Sequence, residues 1–273
     1  MTTTSDLTAL RRSSGGALDA AMHVFVVGDR FRGFVHHDRV TTVSELCTAV
    51  AAGAYDELQG SLLLHRGQGI SPFDREYIEA TITRRGLQPR MRFAGSEPTV
   101  ASRDVTHKHR SENVLLANVR SVGERTFRAD LRVHADNELL LDHQTGEHIQ
   151  GMIVVEAARQ MFMAGFEVGY RHRWPLHDYV VWNSVQLAFE SFLFPLPAEV
   201  VCQISEVEIE APQSLRFEMS VELHQLRRRV ASGTIGFTSF EYAPIAFVER
   251  HHAGKALNAA VRAVASAERP DDV

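Results

Sequence analysis

Between Met22 and Phe93, short apolar runs alternate with stretches of helical period. The run MHVFVVGD, closed by Gly28 and Asp29, has the length and β-branched content of a buried strand. Ser44 to Tyr55 places Leu46, Val50 and Tyr55 near one helical face behind a Ser or Thr cap, and Leu62 to Leu64 form another short strand. Ser71 opens a second helix with Pro72 at its first position and Gly86 past its end, because proline suits a first helical turn and glycine a helix stop. Residues 22–94 therefore read as a small α/β domain.

The segment GSEPTVASRD, residues 95–104, concentrates turn formers and charge and reads as a linker. Beyond it the period falls to two. Phe127, Ala129, Leu131 and Val133 alternate with Arg128, Asp130 and Arg132, which puts one strand face in the core and the other in water. The same alternation returns in Val207, Ile209 and Ala211 against Glu206, Glu208 and Glu210, and in Leu215, Phe217, Met219, Val221 and Leu223. Between these strand groups lies GMIVVEAARQMFMAGFEVGY, residues 151–170, which is apolar almost all round a helical wheel and so is buried on most sides. Strands, one long buried helix and then more strands give an α+β chain with a C-terminal hotdog domain, an antiparallel sheet wrapping a central helix, over residues 105–245. Residues 1–21 read as a polar leader, and residues 246–273 as a short C-terminal helix with a frayed tail. A single hotdog leaves a sheet edge and a helix face uncovered, and no tandem copy is present, so a homodimer is expected.

The composition, 44% apolar and 23% charged, is that of a globular protein. With 29 Lys and Arg against 34 Asp and Glu, the net charge of −5 gives no reason to expect nucleic acid as a partner. Two cysteines, Cys47 and Cys202, stand far apart, so neither a disulfide framework nor a cysteine-rich metal site is expected, and a reducing cytoplasm fits. No apolar stretch reaches the roughly 20 residues that span a bilayer.

Chemistry concentrates at the start of the long helix. Glu156, Arg159 and Gln160 interrupt its apolar surface on one side, and burying a carboxylate costs several kcal/mol unless it is paired, so these residues need a reason. Upstream, DHQTGEHIQG carries His143, thirteen positions before Glu156, with Gly146 and Gly151 permitting a tight turn into the helix. A loop His facing a helix Glu across a ligand tunnel can do acid–base work if burial raises the carboxyl toward neutrality. Helix N–H groups from about Gly151 onward could hold an oxyanion. The competing reading makes Glu156 and Arg159 a structural ion pair and His143 a surface residue.

The stretches DHQTGEHIQGMIVVEAARQ and THKHRSENVLL (106–116) resemble the A-factor biosynthesis hotdog family, whose members help make butyrolactone and butenolide signals. The matched positions are His107 and Glu112 in the first motif, and Asp142, His143, Gly146, Gln150, Gly151 and Glu156 to Gln160 in the second. The resemblance implies transfer of a β-ketoacyl group from a thioester to the hydroxyl of a three-carbon phosphate such as dihydroxyacetone phosphate. It implies catalytic roles for His143, Glu156 and Arg159, and substrate contacts from Gly146, Gln150, Gly151, Met152, Gln160, His107 and Glu112. No resident cofactor is implied, because the acyl group arrives on the phosphopantetheine of an acyl carrier protein or on CoA. The loop His and helix Glu are also similar to those of hotdog β-hydroxyacyl-thioester dehydratases, whose loop carries His-Phe-Pro-Gly where this chain reads His143-Gln144-Thr145-Gly146. Dehydration, thioester hydrolysis and a non-catalytic acyl-binding or regulatory role are the alternatives. Members of the family usually carry two hotdog repeats, and here an α/β domain takes the first place.

Other features carry less. The glycines of GDRFRG (28–33) and HRGQG (65–69) follow strands without phosphate-loop spacing and read as ordinary turns. His107 and His109 would share a face of a possible strand, with His134 as a third metal ligand, but a lone His-x-His is more often a hydrogen-bonded pair. His36, His37 and Asp38 take the same discount, so no metal is expected. Trp174, Trp182, Phe189, Phe192 and Phe194 read as core or dimer surface that could line an acyl tunnel, and Arg227 to Arg229 as a solvated hairpin tip.

Overall fold

The computed structural model describes residues 21–141, 146–211 and 214–267. The leader through residue 20 and the last six residues, 268–273, lie outside them. The N-terminal unit runs β1 (Met22–Val27), β2 (Val40–Thr42), α1 (Val43–Ala51), β3 (Leu62–Arg66), α2 (Pro72–Arg84) and β4 (Met91–Phe93). Its strands form a parallel sheet in the order β2-β1-β3-β4. Both helices start on a reciprocal capping box, Thr42 with Glu45 and Ser71 with Asp74, and Pro72 occupies the first turn of α2. Gly86, with φ +68°, supplies the left-handed residue beyond its end.

Val24, Val26, Leu62 and Leu64 turn one face of this sheet to Leu46 and Val50 of α1 and Ile78 and Ile82 of α2. Full burial of each such side chain contributes roughly 1.5–3 kcal/mol. Period two sends Val27 to the opposite face, where Val27, Phe31 and Val40 belong to the core of the second unit.

That second unit contains α3 (Arg103–Thr106), β5 (Leu116–Ser121), β6 (Thr126–Leu131), α4 (Glu138–Leu141), α5 (Gly151–Gly169), β7 (His177–Phe189), β8 (Glu199–Ala211), β9 (Ser214–Gln225), β10 (Arg228–Glu241) and α6 (Tyr242–Ala267). An antiparallel sheet in the order β5-β6-β8-β9-β10-β7 curls around α5, the hotdog arrangement. Phe127, Ala129 and Leu131 of β6 and Leu215, Phe217, Met219, Val221 and Leu223 of β9 are buried, as their alternation requires. Phe162 of α5 stacks on Phe237 at 3.9 Å between centroids and meets Phe217 edge-on at 5.5 Å. A Cβ at Gly169 would come within 2.6 Å of the Phe127 ring, so the last turn of α5 has room only for glycine there.

Several expectations need correction. Arg132, on the polar side of the β6 alternation, is not in water: it is 8% exposed and donates from Nη1 to the carbonyls of Ser111 and Val114. His107 and His109 share no strand, because α3 ends at Thr106 and His107 turns the chain with φ 52°. The C-terminal helix is long, with 26 residues from Tyr242. The segment 95–102 leads to α3, with Val100 bridged to Ala117 and Ser102 as the helix cap, so α3 takes in Arg103 and Asp104.

The two glycine turns are where the units meet. A Cβ on Gly67 would lie 2.6 Å from the Pro195 carbonyl oxygen, and one on Gly146 would lie 2.8 Å from that of Arg30. Gln68, buried between them, donates to the carbonyls of Leu131 (3.0 Å) and Leu196 (3.2 Å) and accepts from the Val133 N–H (2.7 Å). Gln68→Ala strands these backbone groups and is expected to cost about 2–3 kcal/mol in urea unfolding, since a buried unsatisfied partner costs more than a lost bond. A loss below about 0.5 kcal/mol, within the range of ordinary surface substitutions, would show that the joint is held some other way.

Candidate functional site

The polar residues of α5 face a chain segment. Arg159 forks onto Glu156, with Nε at 3.0 Å from Oε2 and Nη2 at 2.9 Å from Oε1, and the same Nη2 donates to the Thr106 carbonyl at 2.8 Å. Lys108 places Nζ 2.6 Å from Glu156 Oε1. Gln160 accepts from the Leu115 N–H (2.8 Å) and donates to the Asn113 carbonyl (2.8 Å) and to Glu156 (3.0 Å). One turn of helix thus clasps the segment from Thr106 to Leu115, whose backbone groups find in these side chains the partners that the sheet does not supply. The His107 turn carries Lys108 into this cluster.

Burial pushes the Glu156 carboxyl up, but the hydrogen bonds from Arg159, Lys108 and Gln160 outweigh it and hold the group below its ordinary value. The expected rise toward neutrality is therefore corrected: Glu156 is a carboxylate at neutral pH. Lys108 was missed in the sequence because nothing in THKHR shows which of its basic residues turns inward.

The remaining candidates spread around the mouth of α5. His143, with Asp142, Gln144 and Thr145, lies outside the described residues. Gln150 is the N-cap of α5; its side chain makes no capping bond and donates instead to the Leu139 carbonyl. Gly151 abuts Phe189, whose ring a Cβ would meet at 3.1 Å, and Met152 is 54% exposed. Phe192, 65% exposed, packs beside His148 with ring centroids 5.2 Å apart. Gly146 contacts the N-terminal unit. His107 is exposed. Glu112 lies in a 3-10 turn, where its own backbone N–H holds its carboxyl below the usual range, and its carbonyl accepts from Asn137.

Beneath α5 the packing is close: a void of about 10 Å³ lies among Val154, Ala158, Leu187, Val200 and Val221. Trp182 packs edge-on against Phe237 and Trp174 stacks with Tyr170. Arg229 at the hairpin tip pairs with Glu190 (2.8 Å) and Glu222 (3.1 Å). Among the described residues, no group of three or more His, Cys, Asp or Glu could hold a metal ion, and no helix is long and apolar enough to cross a membrane.

The family model of the A-factor biosynthesis hotdog domain matches residues 91–241, more than half of the chain. No curated protein matches it. Among solved structures, the dehydratase heterocomplex ApeI:P from Xenorhabdus doucetiae is similar at 14% identity and a TM-score of 0.39, over 51% of this chain and 91% of that one. A variant thioesterase from Pseudomonas aeruginosa is similar at 11% identity and a TM-score of 0.37, over 53% of this chain and 96% of that one.

The state of Glu156 sets a pH dependence. Its folded-state pKa lies below the unfolded value, so its contribution to stability is fully present above that unfolded value, near 4.5, and is lost as pH falls through the folded one. Urea unfolding between pH 6 and pH 3 is expected to show a smaller loss of stability in Glu156→Gln than in the parent. Parallel pH profiles would mean that the cluster does not hold the ionised form.

Proposed function

The chain belongs to the A-factor biosynthesis hotdog family, and on that premise we propose that it is an acyl-thioester enzyme that transfers a β-ketoacyl group to a hydroxylated three-carbon phosphate. The acyl group comes on the phosphopantetheine of a carrier protein or on CoA. The acceptor hydroxyl oxygen attacks the thioester carbonyl, the carbon–sulfur bond breaks, and the products are an ester and a free thiol. His143 takes the hydroxyl proton and passes it to the departing sulfur. N–H groups in the first turn of α5 stabilise the oxyanion, and Arg159 with Lys108 supplies the positive charge that seats the phosphate.

The observation that carries this reading is the ionised Glu156 between Lys108 and Arg159. Dehydration needs an acid to protonate the leaving hydroxyl, and a carboxyl held below its usual range is unsuited to that. Two cations sharing one carboxylate keep an excess positive charge, which a second, anionic substrate can use and a hydrolase does not need. Glu156 is thus a positioning residue that fixes the guanidinium and the ammonium.

The close packing beneath α5 leaves the acyl chain to lie against the apolar mouth formed by Met152, Phe189 and Phe192. A second copy completes that mouth in this reading, and β7, which among the described residues pairs only with β10, offers the edge at which the copy would add.

Intact-mass analysis of a β-ketoacyl carrier protein should show the acyl group leaving only when dihydroxyacetone phosphate is present. Loss at the same rate without it, as free acid or as a dehydrated thioester, would replace transfer with hydrolysis or dehydration. His143→Ala is expected to slow turnover by about 100-fold or more. Arg159→Lys should raise the KM for the acceptor more than that for the carrier, because Lys keeps the charge and loses the fork. Light scattering should give twice the chain mass; a fully active monomer would remove the second copy from the site.

A further inference from the structure

The α5 cluster uses the inner side of the sheet. On the outer side, where β6 turns Arg128, Asp130 and Arg132 away from α5, the N-terminal unit stands over the sheet and borders a half-open cavity of about 720 Å³. That is the size of a small-molecule site. It opens at the carboxyl ends of β3 and β4, reaching His65 and Arg66 on one and Ala94 and Ser96 beyond the other. Parallel α/β sheets bind phosphorylated ligands at that end of their strands, although here the strand-following glycines are taken up by contact between the units.

The charge lining this cavity is unbalanced. Its two acids, Asp130 and Glu199, are already paired: Arg120 and Arg128 approach Glu199 at 2.6 and 2.8 Å, and Arg120 lies 3.6 Å from Asp130. Arg66 pairs with Glu97 and donates to the Ile70 carbonyl, while Arg75, which also reaches Glu97, has its closer partner in Glu79 at 2.9 Å. Arg132 makes its hydrogen bonds to backbone carbonyls, and its Nε has no partner. Burial and the neighbouring Arg132 and Arg75 push Arg66 down to about 10, the mark of cations held together away from water. At the rim, Arg227 lines the cavity from the left-handed turn between β9 and β10, exposed and with no ion pair among the described residues.

Cations gathered in a sheltered space cost stability unless an anion joins them. We propose that this inter-unit cavity is a binding site for a small phosphorylated metabolite, held by Arg66, Arg132 and Arg227 and separate from the acyl-transfer site. The ligand bridges the α/β unit and the sheet, so its binding tightens the joint that Gln68 makes.

The probe is inorganic pyrophosphate, titrated calorimetrically into the full chain at constant ionic strength, with citrate as a carboxylate polyanion for comparison. Saturable pyrophosphate binding is expected, with citrate at least about tenfold weaker. Arg66→Gln should weaken pyrophosphate about tenfold, in the range for loss of a charge-assisted contact. Because Arg66 is partly buried and its variant could fail to fold, Arg227→Glu, on an exposed turn, is the second test and should weaken binding about fivefold or more by reversing a rim charge. Hydrogen exchange on the unaltered protein should slow at residues 65–70 and 94–98 when pyrophosphate is added. Absence of saturable binding, equal binding of citrate, indifference to Arg227→Glu, or protection confined to α5 would each overturn the proposal.

Discussion

A helix enclosed by its own sheet cannot leave a polar side chain without a partner, and the architecture of the second unit follows from how α5 meets that demand. Glu156, Arg159 and Gln160 occupy one side of the helix and find their partners in Lys108 and in the backbone of Thr106, Asn113 and Leu115. The satisfied cluster fixes where the chain enters β5, and β5 is an edge of the sheet that wraps the helix. Specificity of fold and electrostatics of the site thus come from the same few hydrogen bonds. A cluster that also holds the entering strand in place is fixed by the fold itself.

The joint between the units follows a different logic. Gly67 approaches the Pro195 carbonyl, as Gly146 approaches the turn containing Arg30, and Gln68 spans the gap with its whole amide. Apolar packing reinforces it, since Val27, Phe31 and Val40 complete the hotdog core. Arg132 is buried on that face, where its Nη1 bonds the Ser111 and Val114 carbonyls of the second unit and its charge faces Arg66 of the first.

Periodicity made the local structure legible. Ser71-Pro72 announced α2, the alternation in β6 and β9 gave the buried face, and the unbroken apolar wheel gave α5 as the central helix. The Glu156 to Gln160 triplet was visible because charge is conspicuous on such a helix. What stayed hidden depends on contacts distant in sequence. Binary alternation assigns Arg132 to the outer face but cannot say that another unit covers that face. Glycines in HRGQG read as a turn whether they meet solvent or another backbone. The acidity of Glu156 was misjudged because burial alone raises a carboxyl, while the hydrogen bonds of Arg159, Lys108 and Gln160 together reverse the sign, and Lys108 stands 48 positions earlier. The C-terminal helix was legible from residue 246, yet α6 begins at Tyr242, directly after the last strand.

The glycine contacts between the units also bear on how such a chain can diversify. A unit tethered only through a linker can be exchanged by recombination at that linker, and its new neighbour need not know it. Here the fit is written into both partners at once: Gly33 and Gly67 of one unit and Gly146 of the other stand against backbone across the joint, and any side chain larger than hydrogen would push the units apart. The two halves must therefore be inherited together, with the turns of one tuned to the loops of the other. A transplanted α/β unit would arrive with the right fold and the wrong surface.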